Sequence, residues 1–280
     1  MELPFHINLE GKTAVVTGGS GVLGSVLSRA LAKCGAKVAI LARNQEKIDR
    51  VVNEIHEDGG EARGYSVNVL DKNELLDIRE QLNEKWGPVD ILINGAGGNH
   101  PKATTSHEYF TGEAEDAQTF FDLETEAVDE LFRLNFSGTL IPTQVFAEQM
   151  TNKKEAVILN ISSMNAFTPL TKIPAYSGAK AAVSNFTQWL AVYFSKAGIR
   201  VNAMAPGFFL TEQNRGLLLD EQGKYTERAD KILSQTPTER FGEAEELVGT
   251  LLWLVDYKAS SFVNGIVVPI DGGFSAYSGV

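Results

Sequence analysis

The chain alternates between short apolar runs and longer stretches in which apolar residues recur every three or four positions. The short runs are apolar almost throughout and end in turn residues, a pattern typical of parallel strands covered by helices on both faces. The longer stretches, such as VLGSVLSRALAKCG, predict amphipathic helices. We therefore predict an α/β fold, a single doubly wound domain around a seven-stranded, mainly parallel sheet. The predicted strands are KTAVVTG, KVAILA, ARGYSVNV, DILINGAG, AVILNISS, RVNAMAPG and GIVVPIDGG.

The organisation of the chain favours one domain with two insertions. A closed barrel of eight strands is the competing architecture, but only seven strand candidates are present. No linker rich in Pro, Ser or Gly and no internal repeat divides the chain, so residues 1–280 are predicted to form one domain. Long stretches interrupt the alternation near residues 98–124 and 208–242. Both follow the carboxyl ends of predicted strands, where ligands bind in such sheets, so we expect them to act as lids.

Composition narrows the class of protein. Of the 280 residues, 43% are hydrophobic and 22% are charged, which is typical of a globular domain. The sequence contains no apolar run long enough for a membrane span, and the segment MELPFHINLEGK lacks the pattern of a signal peptide. The single cysteine, Cys34, cannot form an internal disulfide, which favours a cytoplasmic location. The net charge of −11 argues against a nucleic acid or an anionic membrane as partner.

A glycine-rich turn follows the first predicted strand. Gly19, Gly21 and Gly24 spell G-x-G-x-x-G at the point where that strand passes into a helix. Glycines allow positive φ and a close backbone approach, and a helix N-terminus offers unpaired N–H groups to a pyrophosphate. The turn therefore predicts a dinucleotide site, and a purely structural glycine turn is the alternative.

The end of the second predicted strand bears on the choice of dinucleotide. Sites of this kind often place an acidic residue there, on the adenosine ribose. Here Ala42 takes that position and Arg43 follows, with a guanidinium that can pair with a 2′-phosphate or stack on adenine. The pattern favours NADP(H) and leaves NAD(H) open, because Arg43 could equally be a solvated residue.

The helix that begins YSGAKAAVSNFTQWL carries Tyr176 and Lys180 four positions apart. Residues at this spacing lie on one helical face, so the phenol and the ammonium point the same way. The residues between and around them are small, which lets another surface come close. In isolation, the pair is equally typical of a tyrosine packed on a lysine stem.

Further motifs follow one another along the chain. They are the Gly18–Gly24 turn, NGAG at Asn94–Gly97, Asn135 in LNFSG, NISS ending at Ser163, the Tyr176 and Lys180 pair, PGFFLT from Pro206 to Thr211, and DGG from Asp271. With them the chain resembles the short-chain dehydrogenase/reductase family from about Leu9 to Phe274. Three positions depart from the family pattern: Val22 replaces the middle glycine of the turn, Gly95 replaces the second Asn of NNAG, and Asn68 stands in place of an acid.

The resemblance implies a Rossmann-like fold and hydride transfer between a nicotinamide and a carbonyl or alcohol. Tyr176 would be the general acid/base, with its pKa lowered by the charge of Lys180, which would also hold the nicotinamide ribose. Ser163 would hydrogen-bond the substrate oxygen, and Asn135 would hold a water that links Lys180 to solvent. As single residues, Ser163 could merely satisfy a strand end and Asn135 could be a helix-interior residue bonded to backbone.

The same resemblance, together with the glycine turn and the second strand end, outlines a cofactor site. Thr211 and the Pro206–Gly207 turn would hold the carboxamide end of the nicotinamide. The expected cofactor-binding residues are Gly18, Gly19, Ser20, Gly21, Leu23, Gly24, Arg43, Asn68, Val69, Asn94, Ala96, Gly97, Tyr176, Lys180, Pro206, Gly207, Phe209 and Thr211.

Assembly is also implied by the resemblance. Family members form homotetramers in which the helix bearing the tyrosine and the preceding helix pair with a second copy. The apolar segment NFTQWLAVYF is consistent with such a helix, and equally with a core helix of a monomer.

The substrate expectation rests on the stretch GAGGNHPKATTSHEYF, with TGGSGVLG and SSMNAF. These resemble the sugar-acid branch of the family, nearest to members of the D-mannonate oxidoreductase type, then the gluconate 5-dehydrogenase type. The resemblance implies interconversion of D-fructuronate and D-mannonate, and polar side chains with a cation suit such a polyhydroxy acid. His100 and Lys102 could instead be solvated loop residues. The expected substrate-binding residues are Asn99, His100, Lys102, Ser163, Asn165, Gln213 and Arg215.

Other functions are compatible with some of these motifs. A 3-oxoacyl carrier-protein reductase or a general carbonyl reductase shares the same motifs, but the net charge of −11 disfavours docking of an acidic carrier. A non-catalytic dinucleotide sensor would bind cofactor without turnover and would not need both Tyr176 and Lys180. A metal site is not predicted, since His107 and Glu108 lack a second histidine at helical spacing.

Overall fold

The computed structural model describes residues 6–112, 117–151, 153–211 and 215–279. Seven strands form one sheet in the order β3-β2-β1-β4-β5-β6-β7, and every pairing between neighbours is parallel. The predicted doubly wound α/β fold is confirmed, and its sheet is parallel throughout. The strands are β1 Thr13–Thr17, β2 Lys37–Ala42, β3 Glu61–Ser66, β4 Ile91–Asn94, β5 Ala156–Ile161, β6 Ile199–Pro206 and β7 Val267–Ile270.

Helices cover both faces of this sheet. They are α1 Val22–Lys33, α2 Gln45–Glu57, α3 Lys72–Lys85, α4 Thr125–Phe132, α5 Gly138–Met150, α6 Pro174–Tyr193, α7 Arg215–Leu218, α8 Glu227–Ser234, α9 Leu247–Val255 and α10 Tyr257–Ser260. Successive residues of β1 point to opposite faces, so Ala14 and Val16 join one apolar core and Val15 joins the other. The first core contains residues of α1, α2 and α9, and the second contains residues of α3, α5 and α6. Burial on both faces explains why the central strands are mostly apolar, whereas the edge strand β3 exposes polar residues.

The order of the strands places a crevice beside β1. β2 and β3 lie on one side of β1, and β4 to β7 lie on the other. Ligands bind at such a switch point, beyond the carboxyl ends of the strands. Gly18 follows β1 and Gly95 follows β4, and a Cβ on Gly18 would lie 2.8 Å from the carbonyl oxygen of Gly95. Only glycine at position 18 lets the two chain segments approach so closely.

The two insertions meet each other near this end of the sheet. Residues 98–124, the first insertion, carry the 3₁₀ turns Pro101–Ala103 and Phe120–Asp122, and residues 208–242, the second insertion, carry α7 and α8. An ion pair joins them, because Lys231 Nζ lies 2.5 Å from the Glu108 carboxylate. Their action as lids stays a prediction.

Candidate active site

The turn between β1 and α1 exposes backbone N–H groups at the start of a helix. Gly21 is the N-cap of α1 and provides no side-chain cap, so the first N–H groups can face an anion. Gly18 has a φ of +67°, and its N–H donates to the Leu41 carbonyl at 2.8 Å. A Cβ on Gly24 would overlap the Gly18 carbonyl. Val22 is the first residue of α1, so the turn closes despite this departure from the family pattern. The turn fits the pyrophosphate of a dinucleotide.

A cavity of about 700 Å³ lies beyond the ends of β2 and β3. Arg43 and Asn68, which the sequence predicted as cofactor contacts, both line it. Lys72 and Arg133 line it as well, together with two carboxylates. Sequence reasoning missed these two cations because they lie in no phosphate-binding motif and only the fold brings them to Arg43. This cavity, here called the adenosine-side cavity, can accept the adenosine end of a dinucleotide.

A second cavity, of about 380 Å³, extends from the glycine turn to the predicted catalytic residues. Gly19, Ser20, Val69, Asn94 and Ala96 adjoin the two cavities but line neither of them. The predicted site residues that line this second cavity, here called the catalytic cleft, are Gly18, Gly21, Leu23, Gly24, Gly97, Ser163, Tyr176, Lys180, Pro206, Gly207, Phe209 and Thr211.

Tyr176 and Ser163 both line the catalytic cleft, and the Ser163 hydroxyl is near enough to the phenol to affect its pKa. Tyr176 lies in the first turn of α6, and Ser163 follows the end of β5. Burial raises the pKa of the Tyr176 phenol, and the neighbouring Ser163 hydroxyl acts in the opposite direction. The phenol is therefore protonated at neutral pH and can donate a proton to a carbonyl oxygen.

Lys180 brings a positive charge to this phenol. The residue is only 5% exposed, and its Nζ donates to the Ile161 carbonyl at 2.9 Å. Burial lowers the pKa of Lys180 to about 8. Nζ lies 5.7 Å from the centroid of the Tyr176 ring, where an ammonium stabilises phenolate through a medium of low dielectric constant. A Cβ on Gly97 would lie 3.2 Å from Nζ, so glycine leaves room for the ammonium.

Asn135 is buried in a single π-helical turn, Arg133–Ser137, between α4 and α5. Its Nδ2 donates to the carbonyls of Gly98 at 2.8 Å and Leu131 at 2.9 Å, and its Oδ1 accepts from the Gly98 N–H at 3.2 Å. Such turns are frequent at functional sites. The side chain fixes the loop after β4 above the sheet. Its expected role in holding a water stays a prediction.

Asn94 lies beneath the site, where its side chain is buried at the end of β4. Its Nδ2 donates to Thr143 Oγ1 and to Asn160 Oδ1, both at 2.9 Å, and Asn160 Nδ2 donates to Thr187 Oγ1 at 2.9 Å. This chain of hydrogen bonds ties β4 and β5 to α5 and α6. The side chain of Asn94 therefore orients the helix that carries Tyr176, and the backbone after it faces the crevice.

The expected substrate residues lie in different places. Asn165 is buried beside the catalytic cleft, and its N–H donates to Ser163 Oγ at 3.3 Å. Asn99 and His100 line the adenosine-side cavity together with Arg43. The structure thus brings Asn165 to Ser163 but does not bring Asn99 or His100 there.

The expected cations of the substrate site are also dispersed. Lys102 Nζ lies 2.9 Å from the Glu124 carboxylate, and the Lys102 side chain is 59% exposed. Arg215 is exposed at the start of α7. Gln213 lies outside the described residues. The charge of Lys102 is therefore already paired within the first insertion.

Within residues 6–112, 117–151, 153–211 and 215–279, no helix has the length and apolar character that a bilayer crossing requires. The same residues contain no group of three or more His, Cys, Asp or Glu arranged to hold a metal ion.

A pyrophosphate cradle next to a partly buried tyrosine and a buried lysine places this protein in the class of dinucleotide-dependent oxidoreductases. The sequence model of the family described as short chain dehydrogenase matches residues 12–222. The chain belongs to the short-chain dehydrogenase/reductase family, which confirms the resemblance found in its motifs.

Relatives match over the full length of the chain. An uncharacterized oxidoreductase of Haemophilus influenzae is 57% identical, covering 100% of this chain and 99% of the relative. The crystal structure of a candidate D-mannonate oxidoreductase from Haemophilus influenzae, with bound NAD, is 56% identical, with a TM-score of 0.95 and complete coverage of both chains. Gluconate 5-dehydrogenase of Gluconobacter oxydans is 31% identical, covering 98% of this chain and 99% of the relative.

Proposed function

We propose that this protein interconverts a ketone and a secondary alcohol on a sugar acid, with D-fructuronate and D-mannonate as the pair. The observation that carries the reaction type is that Ser163, Tyr176 and Lys180 line a single cleft together with the glycine turn. Support for the substrate comes from the full-length similarity to a candidate D-mannonate oxidoreductase at 56% identity. Gluconate 5-dehydrogenase, another enzyme of sugar acids, supports the same substrate class.

Each catalytic side chain has one task in this reaction. A bound NAD(P)H supplies hydride to the ketone carbon. Tyr176 gives its phenolic proton to the carbonyl oxygen, and Ser163 holds that oxygen by a hydrogen bond. Lys180 stabilises the phenolate that remains, and the proton is then restored from solvent. In the reverse direction the phenolate of Tyr176 takes the proton from the alcohol, and the charge of Lys180 stabilises that phenolate.

The proposal includes both dinucleotides, with an advantage for NADPH. Arg43 lines the adenosine-side cavity, and no acid stands at the end of β2 to repel a 2′-phosphate. The NAD bound in the related Haemophilus influenzae structure supports use of NAD(H).

The test is reduction of D-fructuronate, 5-keto-D-gluconate and acetoacetyl thioester, each with NADH and NADPH, followed by loss of cofactor absorbance. Tyr176→Phe is the matched control, because it removes only the phenolic oxygen. Fast turnover of D-fructuronate that this variant abolishes is the expected result. Turnover of the thioester alone would contradict the proposal and favour a 3-oxoacyl reductase.

Assembly as a homotetramer and a cytoplasmic location complete the proposal. Trp189 and Tyr193 on α6 are 55% and 64% exposed, and their rings stack at 4.8 Å between centroids. An exposed aromatic stripe of this kind suits an interface with a second copy. The free Cys34 favours a reducing compartment. Light scattering on Trp189→Glu tests the assembly, and a wild-type monomer would contradict it.

A further inference from the structure

The backbone of Lys172 has an unfavourable conformation. Its φ is +72°, in the left-handed region that glycine tolerates and other residues rarely adopt. Among the described residues only Glu239 shares this property without being glycine. Such conformations persist where the surrounding structure enforces them, and they concentrate at ligand sites. A lysine therefore occupies position 172 although glycine would adopt this conformation at a lower cost.

Lys172 lies next to the catalytic residues. It falls between Ser163 and Tyr176 in the chain, two residues before α6 begins at Pro174. The Ser177 N–H donates to the Ile173 carbonyl at 3.1 Å, so the chain from 173 to 177 forms one helical turn. The Cα atoms of residues 172 and 176 are therefore within about 10 Å of each other, one turn plus one residue. A lysine side chain can span the space beside the phenol.

The first insertion holds Lys172 in place. The Thr105 N–H donates to the Lys172 carbonyl at 2.8 Å, and Thr105 belongs to the insertion that follows β4. This hydrogen bond fixes the backbone of residue 172 between the insertion and α6. Residue 172 is partly buried.

Three cations of the two insertions form ion pairs with carboxylates. Lys102 pairs with Glu124, Lys231 with Glu108, and Arg240 with Glu246, at 2.9, 2.5 and 2.7 Å. For Lys172, no carboxylate of the described residues lies within ion-pair distance.

Glu108 is the acid whose charge Lys172 influences. Its pKa is lowered mainly by the hydrogen bond from Lys231, with a smaller contribution from the charge of Lys172. Because Lys231 already neutralises Glu108, the charge of Lys172 stays available to another anion.

We propose that Lys172, rather than Lys102, binds the carboxylate of the substrate and selects sugar acids over neutral ketoses. This inference rests on the proposed function. In D-fructuronate the ketone and the carboxylate carbon are four C–C bonds apart, about 5 Å in an extended chain. With the ketone oxygen at Tyr176, the carboxylate falls within the reach of Lys172.

The experiment compares D-fructuronate with D-fructose, its neutral counterpart, by the ratio of their kcat/KM values. Lys172→Met is expected to lower this ratio at least tenfold, mainly through a higher KM for the acid, and Lys172→Arg to restore much of it. Lys102→Met and the exposed-surface control Lys196→Met are expected to change the ratio less than twofold. Equal losses on both substrates, or a large effect of Lys102→Met alone, would overturn the assignment.

A second variant separates binding from folding. Lys172→Gly is expected to raise the melting temperature, because glycine relieves the left-handed strain, and still to lower the ratio as far as Lys172→Met does. A glycine variant that keeps the ratio would overturn the role of the ammonium.

Failure of the proposed function gives a different result. If the wild type reduces 5-keto-D-gluconate but not D-fructuronate, the proposed substrate is wrong, and the same variants are compared on 5-keto-D-gluconate and its neutral counterpart L-sorbose. A wild type with no preference for either acid over its ketose would overturn the role of Lys172 whatever the substrate.

Discussion

Replacing Lys180 by methionine removes a buried charge while keeping a side chain of similar length. Burial lowers the pKa of Lys180 from 10.5 to about 8. At about 1.4 kcal/mol for each pKa unit, keeping this ammonium charged at neutral pH costs the folded state about 3 kcal/mol. The variant also deprives the Ile161 carbonyl of its donor, at a cost of about 1–3 kcal/mol. We expect Lys180→Met to be as stable as the wild type at pH 7, or up to about 2 kcal/mol more stable.

The sign of the pH dependence follows from the lowered pKa. Below pH 8 Lys180 is charged in both states, and the folded protein bears the full cost. Between pH 8 and 10.5 the unfolded chain keeps its proton while the folded protein has lost it. The wild type therefore gains stability with rising pH by up to about 1.4 kcal/mol per pH unit, and the methionine variant does not.

Urea unfolding without cofactor at pH 7 and at pH 9.5 measures the difference in free energy of unfolding between the two proteins. Lys196→Met controls for loss of an exposed lysine. A difference that favours the variant at pH 7 and shifts towards the wild type at pH 9.5 is expected, together with loss of activity of about 100-fold or more. If the variant is several kcal/mol less stable at both pH values, the burial argument for Lys180 is refuted.

Three further predictions concern the cofactor site and the phenol. Gly24→Ala should weaken dinucleotide binding and lower the free energy of unfolding by about 1–3 kcal/mol, because its Cβ overlaps the Gly18 carbonyl; calorimetry and urea unfolding measure both effects. Arg43→Ala should raise KM for NADPH about tenfold and leave KM for NADH unchanged; equal effects would contradict a 2′-phosphate contact. Tyr176→Phe should abolish turnover but keep NADPH binding, as fluorescence titration would show.

The fold could be predicted because its signals are local and repeated. Each of the seven predicted strands coincides with an observed strand, and the central ones lie in apolar runs because burial on both faces of a parallel sheet leaves little place for polar residues. The edge strand β3 instead exposes Glu61 and Arg63. The glycine turn was recognisable because Gly18 and Gly24 have no room for a Cβ. Both signals are carried by residue type alone.

The substrate side was less predictable, because it depends on which charges neutralise one another. Lys102 is indistinguishable in sequence from an unpaired lysine, and only the fold brings Glu124 to it. Asn99 and His100 lie five and six residues after the end of β4, and the loop there turns towards the adenosine-side cavity. The positive φ of Lys172 leaves no mark in the sequence either, because glycine is the residue expected there.

The cost of burying Lys180 is also what makes it effective. In water the charge of Lys180 would act weakly on Tyr176. The low dielectric constant of the cleft lowers the pKa of the ammonium, and it also strengthens the effect of the ammonium on the phenolate. The hydrogen bond to the Ile161 carbonyl and the absence of a Cβ at Gly97 hold the ammonium in that environment. Substitutions of Lys180 that raise the stability of the protein should therefore lower its activity. A variant that improves both would show that the lysine acts in another way.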